Sequence, residues 1–167
     1  PGTGKTYKGA HVVADLVLHH GWQVGVVAQS HLGVEHMLDE IVAAGAPGDR
    51  VAKKPGKPST GRWTPIADGG HADFLAAHRG TGCVIGGTAW DFTNPSRVVP
   101  GSLDLLVIDE AGQFSLANTI GVAQSARNLL LLGDPQQLPQ VSRGVHPEPV
   151  DTSALGWLSA GHDVLPA

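Results

Sequence analysis

Two unbroken apolar runs constrain the fold of this chain more than any other feature. They lie at 105–108 and 129–132 and read Leu-Leu-Val-Ile and Leu-Leu-Leu-Leu. A strand with one face in water alternates apolar and polar residues, whereas a continuous apolar run is typical of a strand covered on both faces. Strands of this kind belong to parallel sheets with helices on each side. The runs therefore predict an α/β domain.

The segments before these runs alternate in the way that this class requires. Residues 6–20 carry apolar side chains at helical spacing, and Gly21 follows as a helix terminator. A buried strand is predicted at 24–28, a helix at 31–44, a short helix around 74–78 and a strand at 83–86. Repeated strand, crossover helix and strand predict a doubly wound sheet, and 167 residues predict one domain.

The stretch from 45 to 70 breaks this alternation. It contains four prolines and several glycines, which predict an irregular insertion or the remnant of a small subdomain. Its cations lie close together with no acid among them: Arg50, Lys53, Lys54, Lys57 and Arg62. Such a stretch either contacts phosphates or is a solvated loop.

Composition excludes several classes of protein. The net charge is −4, which gives no overall signature of nucleic-acid binding, and no apolar run approaches the length of a membrane span. The single cysteine, Cys83, rules out an internal disulfide or a cysteine zinc cluster and is expected to be a buried structural thiol. The nine histidines form no familiar ligand pattern. A reducing, cytoplasmic setting is expected.

A phosphate-binding loop is predicted at the start of the chain, where Gly2, Thr3, Gly4, Lys5 and Thr6 complete the pattern G-x-x-x-x-G-K-[ST] from its fourth residue onward. Glycines let backbone N–H groups approach phosphates, and the helix that follows directs its positive end toward them. The lysine adds charge at the β and γ phosphates, and the threonine hydroxyl is a magnesium ligand. Outside this context, the same residues would form an ordinary loop.

Two acids follow the first apolar run. Asp109 and Glu110 stand at the carboxyl end of the strand at 105–108, the edge at which open α/β sheets bind ligands. Asp109 is suited to hold magnesium, and Glu110 to polarise an attacking water as a general base. The alternative is a strand end that needs polar residues at the surface.

A third segment follows the second run. It reads Gly-Asp-Pro-Gln-Gln-Leu-Pro over 133–139. A neutral amide there is suited to hydrogen-bond a γ-phosphate oxygen, although the composition also fits a plain turn.

These three segments, in this order, resemble motifs I, II and III of superfamily 1 helicases. Within that superfamily the chain is similar to the Upf1/Dna2-like branch, and most of all to the helicase part of bacterial proteins that carry a RecB-like nuclease domain upstream. Residues 27–31, Val-Ala-Gln-Ser-His, resemble motif Ia, and residues 87–90, Gly-Thr-Ala-Trp, resemble motif Ic. The resemblance runs through nearly the whole chain, including His146 and Pro147 and residues 153–155.

The resemblance implies a role for each matching residue. Lys5 would bind phosphate, Thr6 and Asp109 would hold Mg²⁺, Glu110 would be the catalytic acid–base group and Gln137 would sense the γ-phosphate of ATP. The backbone of nucleic acid would be contacted by motifs Ia and Ic, for which the candidates are Ser30, His31 and Thr88. Trp90 is either a base-stacking platform or a core aromatic.

The resemblance also implies a larger machine. The chain would be a RecA-like domain truncated at both ends, without the strand that precedes Pro1 and without motifs IV to VI beyond Ala167. Its partners would be single-stranded nucleic acid, DNA rather than RNA, together with a second RecA-like domain and a RecB-like nuclease domain. The function implied is ATP hydrolysis coupled to translocation. A regulatory P-loop ATPase and an inactive structural fragment are the alternatives, and the isolated fragment is expected to bind nucleotide weakly.

Overall fold

The computed structural model describes residues 4–56, 61–134, 149–150 and 152–160. Helices and strands alternate along these ranges except at β2 and β3, which follow one another. The elements are α1 (Lys5–His20), β1 (Gln23–Val27), α2 (His31–Ala43), β2 (Val51–Lys53), β3 (Thr64–Pro65), α3 (His71–Ala77), β4 (Cys83–Gly87), α4 (Ala89–Thr93), β5 (Leu105–Ile108), α5 (Leu116–Ala123), β6 (Leu129–Leu131) and α6 (Ala154–Ser159).

All six strands form one parallel sheet in the order β3-β2-β4-β1-β5-β6. In the middle of the sheet, Val24 of β1 stands opposite Val84 of β4 on one side and Leu105 of β5 on the other. The predicted fold class, a RecA-like parallel α/β sheet flanked by helices, is confirmed.

Successive residues of the central strands serve opposite faces of the sheet. On one face, Val24, Val26 and Val107 are buried with apolar residues of α1 and α2. On the other face, Leu106 and Ile108 are buried with apolar residues that follow β4 and β5, namely Phe92, Phe114 and Val122. Burying a side chain of this size contributes about 1.5–3 kcal/mol. The two layers explain why β5 has no polar residue.

The stretch from 45 to 70 differs from its prediction. Val51–Lys53 forms β2, a fully buried strand that pairs with β3 on one side and β4 on the other. Only three residues pair there and one of them is a lysine, so hydropathy gave no signal of an interior strand. The prediction of an irregular segment is therefore wrong at β2 and β3.

The run at 129–132 also differs from its prediction. Residues Leu129–Leu131 form β6, but Leu129 is exposed and the next two leucines are half-buried. Within the described residues β6 pairs only with β5, which makes it an edge strand of the sheet. Full coverage on both faces holds for β5 and not for β6.

The remaining local predictions hold closely. The helices predicted at 6–20 and 31–44 are found at Lys5–His20 and His31–Ala43. Cys83 is buried at the start of β4, where burial raises the pKa of its thiol to about 12. It is a structural thiol, as expected. No helix in the described ranges has the length and apolar character that crossing a membrane requires.

Candidate functional site

The beginning of α1 lies at the carboxyl edge of the sheet. Gly21 ends the helix with φ of 66° and the chain turns directly into β1, so α1 runs opposite to the strands. Its first residues, Lys5 and Thr6, are half-buried at this edge, next to the N–H groups that a helix leaves free at its start. A 16-residue helix with no acid in its first turn presents a positive end here.

The two acids that follow β5 lie at the same edge. Asp109 is buried, and its backbone N–H donates to the carbonyl of Val27 at 2.9 Å. Burial raises the pKa of the Asp109 carboxyl, against the opposing effects of a 2.9 Å hydrogen bond from the backbone N–H of Glu110 and the charge of His36. A buried carboxylate of this kind gains from a cation placed beside it.

Glu110 has an unusual backbone. Its φ of 55° makes it the one residue other than glycine with positive φ among those the structure describes. This left-handed conformation costs a side-chain-bearing residue of order 1 kcal/mol, and such strain is concentrated at functional sites. The turn carries the Glu110 carboxylate toward the first turn of α2, where a Cβ built on Gly33 would lie 3.4 Å from Oε2.

The loops after β5 and β6 are packed backbone against backbone. The N–H of Ala111 donates to the carbonyl of Leu132 at 2.8 Å. A Cβ on Gly133 would lie 2.7 Å from the amide nitrogen of Gly112, and a Cβ on Gly112 would collide with the carbonyl of Asp134. Only glycine allows this approach. The acid-bearing loop and the loop that leads to 135–140 are thus held together.

The structure brings most of the predicted nucleotide-binding residues to one edge. Gly4 precedes α1, Lys5 and Thr6 begin it, and Asp109 and Glu110 follow β5. Gly2, Thr3 and Gln137 lie outside the described residues. No group of three or more His, Cys, Asp or Glu in the described ranges forms a metal site. One buried carboxylate still fits Mg²⁺, which is usually bound by one or two carboxylates together with substrate phosphates.

The predicted strand-binding residues line two adjoining cavities, which together are called the groove below. A cavity of about 500 Å³ is lined by residues that include Ser30 and Phe114, and a second of about 350 Å³ by residues that include Lys54. Both cavities are lined by His31, Thr88 and Trp90. The segments that resemble motifs Ia and Ic are therefore neighbours in space.

Each groove residue has a distinct role in the local structure. Ser30 caps α2, with its Oγ accepting from the N–H of Gly33 at 3.0 Å. Trp90 is 70% exposed, so the core-aromatic alternative is wrong. Thr88 donates both its backbone N–H and its hydroxyl to Oδ2 of Asp91, each at 2.7 Å. In this arrangement the Thr88 side chain can accept a hydrogen bond from a ligand but has no proton left to donate.

Sequence reasoning missed the charges behind the groove. Asp91 is buried, forms an ion pair with Arg97 and lies 3.8 Å from Nε2 of His71. Hydrogen bonds from Thr88 and Arg97 lower the pKa of Asp91 against the effect of burial, which raises it. The spacing of Thr88 and Asp91 is that of a capping box and was readable in the sequence. Nothing in the sequence pointed to Arg97.

The basic stretch is not a free cluster of cations. Lys53 is fully buried and lies 3.0 Å from Glu35, which removes it as a contact for phosphates. Lys54 lies 2.9 Å from Asp68. Arg50 donates to the carbonyl of Thr81 at 3.0 Å. Lys57 lies outside the described residues. Neither alternative for this stretch, a solvated loop or a set of phosphate contacts, describes Lys53.

The sequence profile of one protein family, described as an AAA domain, matches residues 1–151. No curated protein matches the chain. Among solved structures, the crystal structure of the Pyrococcus furiosus Hef helicase domain is similar with 16% identity and a TM-score of 0.46. The match covers 79% of this chain and 26% of that one, so the chain spans about a quarter of the solved structure's length.

Proposed function

The chain belongs to the AAA domain family, and from this premise we propose that it is the ATP-hydrolysing motor domain of a superfamily 1 helicase of the Upf1/Dna2-like branch. Its work is to couple ATP hydrolysis to movement along single-stranded nucleic acid, with DNA as the track. The whole machine would include a second RecA-like domain and a RecB-like nuclease domain. This proposal is supported by the segments at the carboxyl edge that resemble motifs I, II and III, and by the groove segments that resemble motifs Ia and Ic.

The residues at the carboxyl edge divide the work of hydrolysis. Lys5 binds the β and γ phosphates, Thr6 and Asp109 would hold a magnesium ion, and Glu110 accepts a proton from the attacking water. Mg²⁺, when bound, neutralises charge on the phosphate oxygens. Gln137 registers the γ-phosphate. The positive end of α1 and the buried Asp109 carboxylate are the features of the structure that suit this division.

One observation carries the step from an ATPase to a motor. The first turn of α2 belongs to both sites, because Ser30 and His31 line the groove while Gly33 adjoins the Glu110 carboxylate. A shift of this turn on binding a strand would therefore change the surroundings of the general base. The reverse also holds, since coupling between two sites is reciprocal for binding.

The proposal is tested by the rate of ATP hydrolysis of the full-length chain, with and without single-stranded DNA or RNA. We expect stimulation by the strand, stronger for DNA. Lys5→Ala should lower the rate about 10²–10³-fold, because it removes a charge at the transferring phosphate. Lys8→Ala, three residues on and exposed, is the matched control and should hydrolyse ATP normally.

Two outcomes would contradict the proposal. Hydrolysis that is lost in Lys5→Ala but indifferent to either strand would identify a regulatory P-loop ATPase without translocation. If Lys5→Ala hydrolyses ATP as fast as the unsubstituted chain, the active site does not lie at the start of α1.

A further inference from the structure

A series of ion pairs, joined at one point by a backbone carbonyl, connects α2 with the segment that follows α4. Lys53 Nζ donates to Glu35 of α2 at 3.0 Å and to the carbonyl oxygen of Lys54 at 3.1 Å. The Lys54 ammonium lies 2.9 Å from Oδ1 of Asp68, and Nη2 of Arg97 lies 2.7 Å from the same oxygen. One carboxylate oxygen therefore receives two cations.

The members of this series are not equally fixed. The Arg97 side chain is 17% exposed and its Nη1 is held by Asp91, which Thr88 holds in turn. Asp68 is 60% exposed and stands in a turn that is closed by a 3.1 Å hydrogen bond from Gly70 to Ala67. The guanidinium thus keeps its position without Asp68, whereas the Asp68 carboxylate can leave without disturbing the sheet.

The cations face the smaller cavity of the groove. Lys54 and Arg97 line it together with one carboxylate, Asp91, whereas Lys53 also lines it but keeps its ammonium on Glu35. Asp68 is not part of this lining and pairs with Lys54 and Arg97. An exposed Lys–Asp pair of this kind contributes little to stability, so a competing anion can replace it.

We propose that Lys54 and Arg97 form a phosphodiester site for the nucleic-acid strand, and that Asp68 occupies both cations until a phosphate displaces it. A phosphodiester presents anionic oxygens that accept from an ammonium and a guanidinium as the Asp68 carboxylate does here. Asp68 then acts as a built-in competitor that weakens binding at this position. The inference rests on the proposed function, because it assigns a contact within the same groove.

The test measures binding of a labelled single-stranded oligodeoxythymidylate by fluorescence anisotropy, using the full-length chain. Asp68→Asn should bind about three- to tenfold more tightly than the parent. The dependence of log K on log salt should steepen by less than about 0.7, the value for one whole phosphate contact on a single strand, because the unsubstituted chain already makes this contact once Asp68 is displaced. Asp73→Asn, which removes another exposed acid five residues away, should change affinity less than twofold.

A second background separates a local effect from a change in net charge. The Lys54→Gln variant should bind the oligonucleotide more weakly than the unsubstituted chain. Adding Asp68→Asn to Lys54→Gln should then increase affinity less than twofold. A gain that persists in Lys54→Gln, or that Asp73→Asn matches, would overturn the proposal. So would a gain abolished by millimolar inorganic phosphate at constant ionic strength, which would assign the site to free phosphate.

The two levels of inference fail differently. Absence of strand binding by the parent chain would refute the proposed function itself. Strand binding by the parent that Asp68→Asn leaves unchanged would refute only the role of Asp68. As a control, Asp68→Asn should unfold at the same temperature as the unsubstituted chain. This shows that its binding is measured on folded protein.

Discussion

Replacing Lys53 by Met should lower the free energy of unfolding by about 2 kcal/mol. The Lys53 side chain is 1% exposed, and its ammonium donates to Glu35 at 3.0 Å and to the carbonyl of Lys54 at 3.1 Å. It also lies 5.7 Å from the centre of the Trp63 ring. Methionine keeps the apolar stem of the side chain but none of these contacts.

The magnitude follows from these contacts. A hydrogen bond from a charged donor contributes about 1.5–3 kcal/mol, and a cation–π contact between desolvated groups such as Lys53 and Trp63 about 2 kcal/mol. Glu35 is 26% exposed and regains part of its hydration when Lys53 is removed, which reduces the loss. The cost of burying the ammonium is also recovered, and the net loss is about 1–3 kcal/mol.

Urea unfolding followed by far-UV circular dichroism measures this loss. With a slope of about 2 kcal/mol/M, the midpoint should fall by about 1 M. Lys54→Met is the matched control, since Lys54 is exposed and pairs with an exposed acid, and it should lose less than about 1 kcal/mol. Adding Glu35→Gln to Lys53→Met should recover about half of the loss. Equal losses in Lys53→Met and Lys54→Met would refute the reasoning.

Three further predictions follow from named contacts. Gly133→Ala should lower the free energy of unfolding in urea by about 1–3 kcal/mol, because its Cβ would lie 2.7 Å from the Gly112 nitrogen. Gly56→Ala is the control and should change this free energy little, since the nearest atom to its Cβ would be 3.9 Å away. Trp90→Ala should weaken strand binding by about 1–3 kcal/mol by anisotropy if a base stacks on its exposed ring, and unchanged affinity would remove that role. Burial lowers the pKa of His71, so the unfolded chain binds the proton more readily and stability should fall as pH drops below about 6.5. His71→Leu should flatten this fall in unfolding free energy between pH 7 and 5.5, and an unchanged slope would assign it to other groups.

The parallel sheet was predictable because its central strands are encoded by their own residues. Unbroken apolar runs and helical spacing place β1, β5, α1 and α2 within a residue or two of their observed bounds. The strand β2 was not predictable, because three paired residues that include a lysine carry no hydropathic signal. The lysine is tolerated there only because Glu35 comes from α2, which lies far from Lys53 in sequence.

The candidate site was likewise predictable from the sequence only in part. The residues of the carboxyl edge follow from sequence, because parallel strands all end at one edge and motif order places Lys5 and Asp109 there. The positive φ of Glu110 could not be read from the sequence, since nothing local demands it. The pairing of Arg97 with Asp68, 29 residues apart, could not be read either.

The two edge strands of the sheet, β3 and β6, differ in how readily they could pair with a further strand. On one side β3 is only two residues long and ends in Pro65, which has no N–H to offer to another strand. On the other side β6 consists of three leucines whose outer N–H and C=O groups meet no strand within the described ranges. A further strand can therefore extend this sheet at β6 and not at β3. That strand could come from the same protein or from another copy of it.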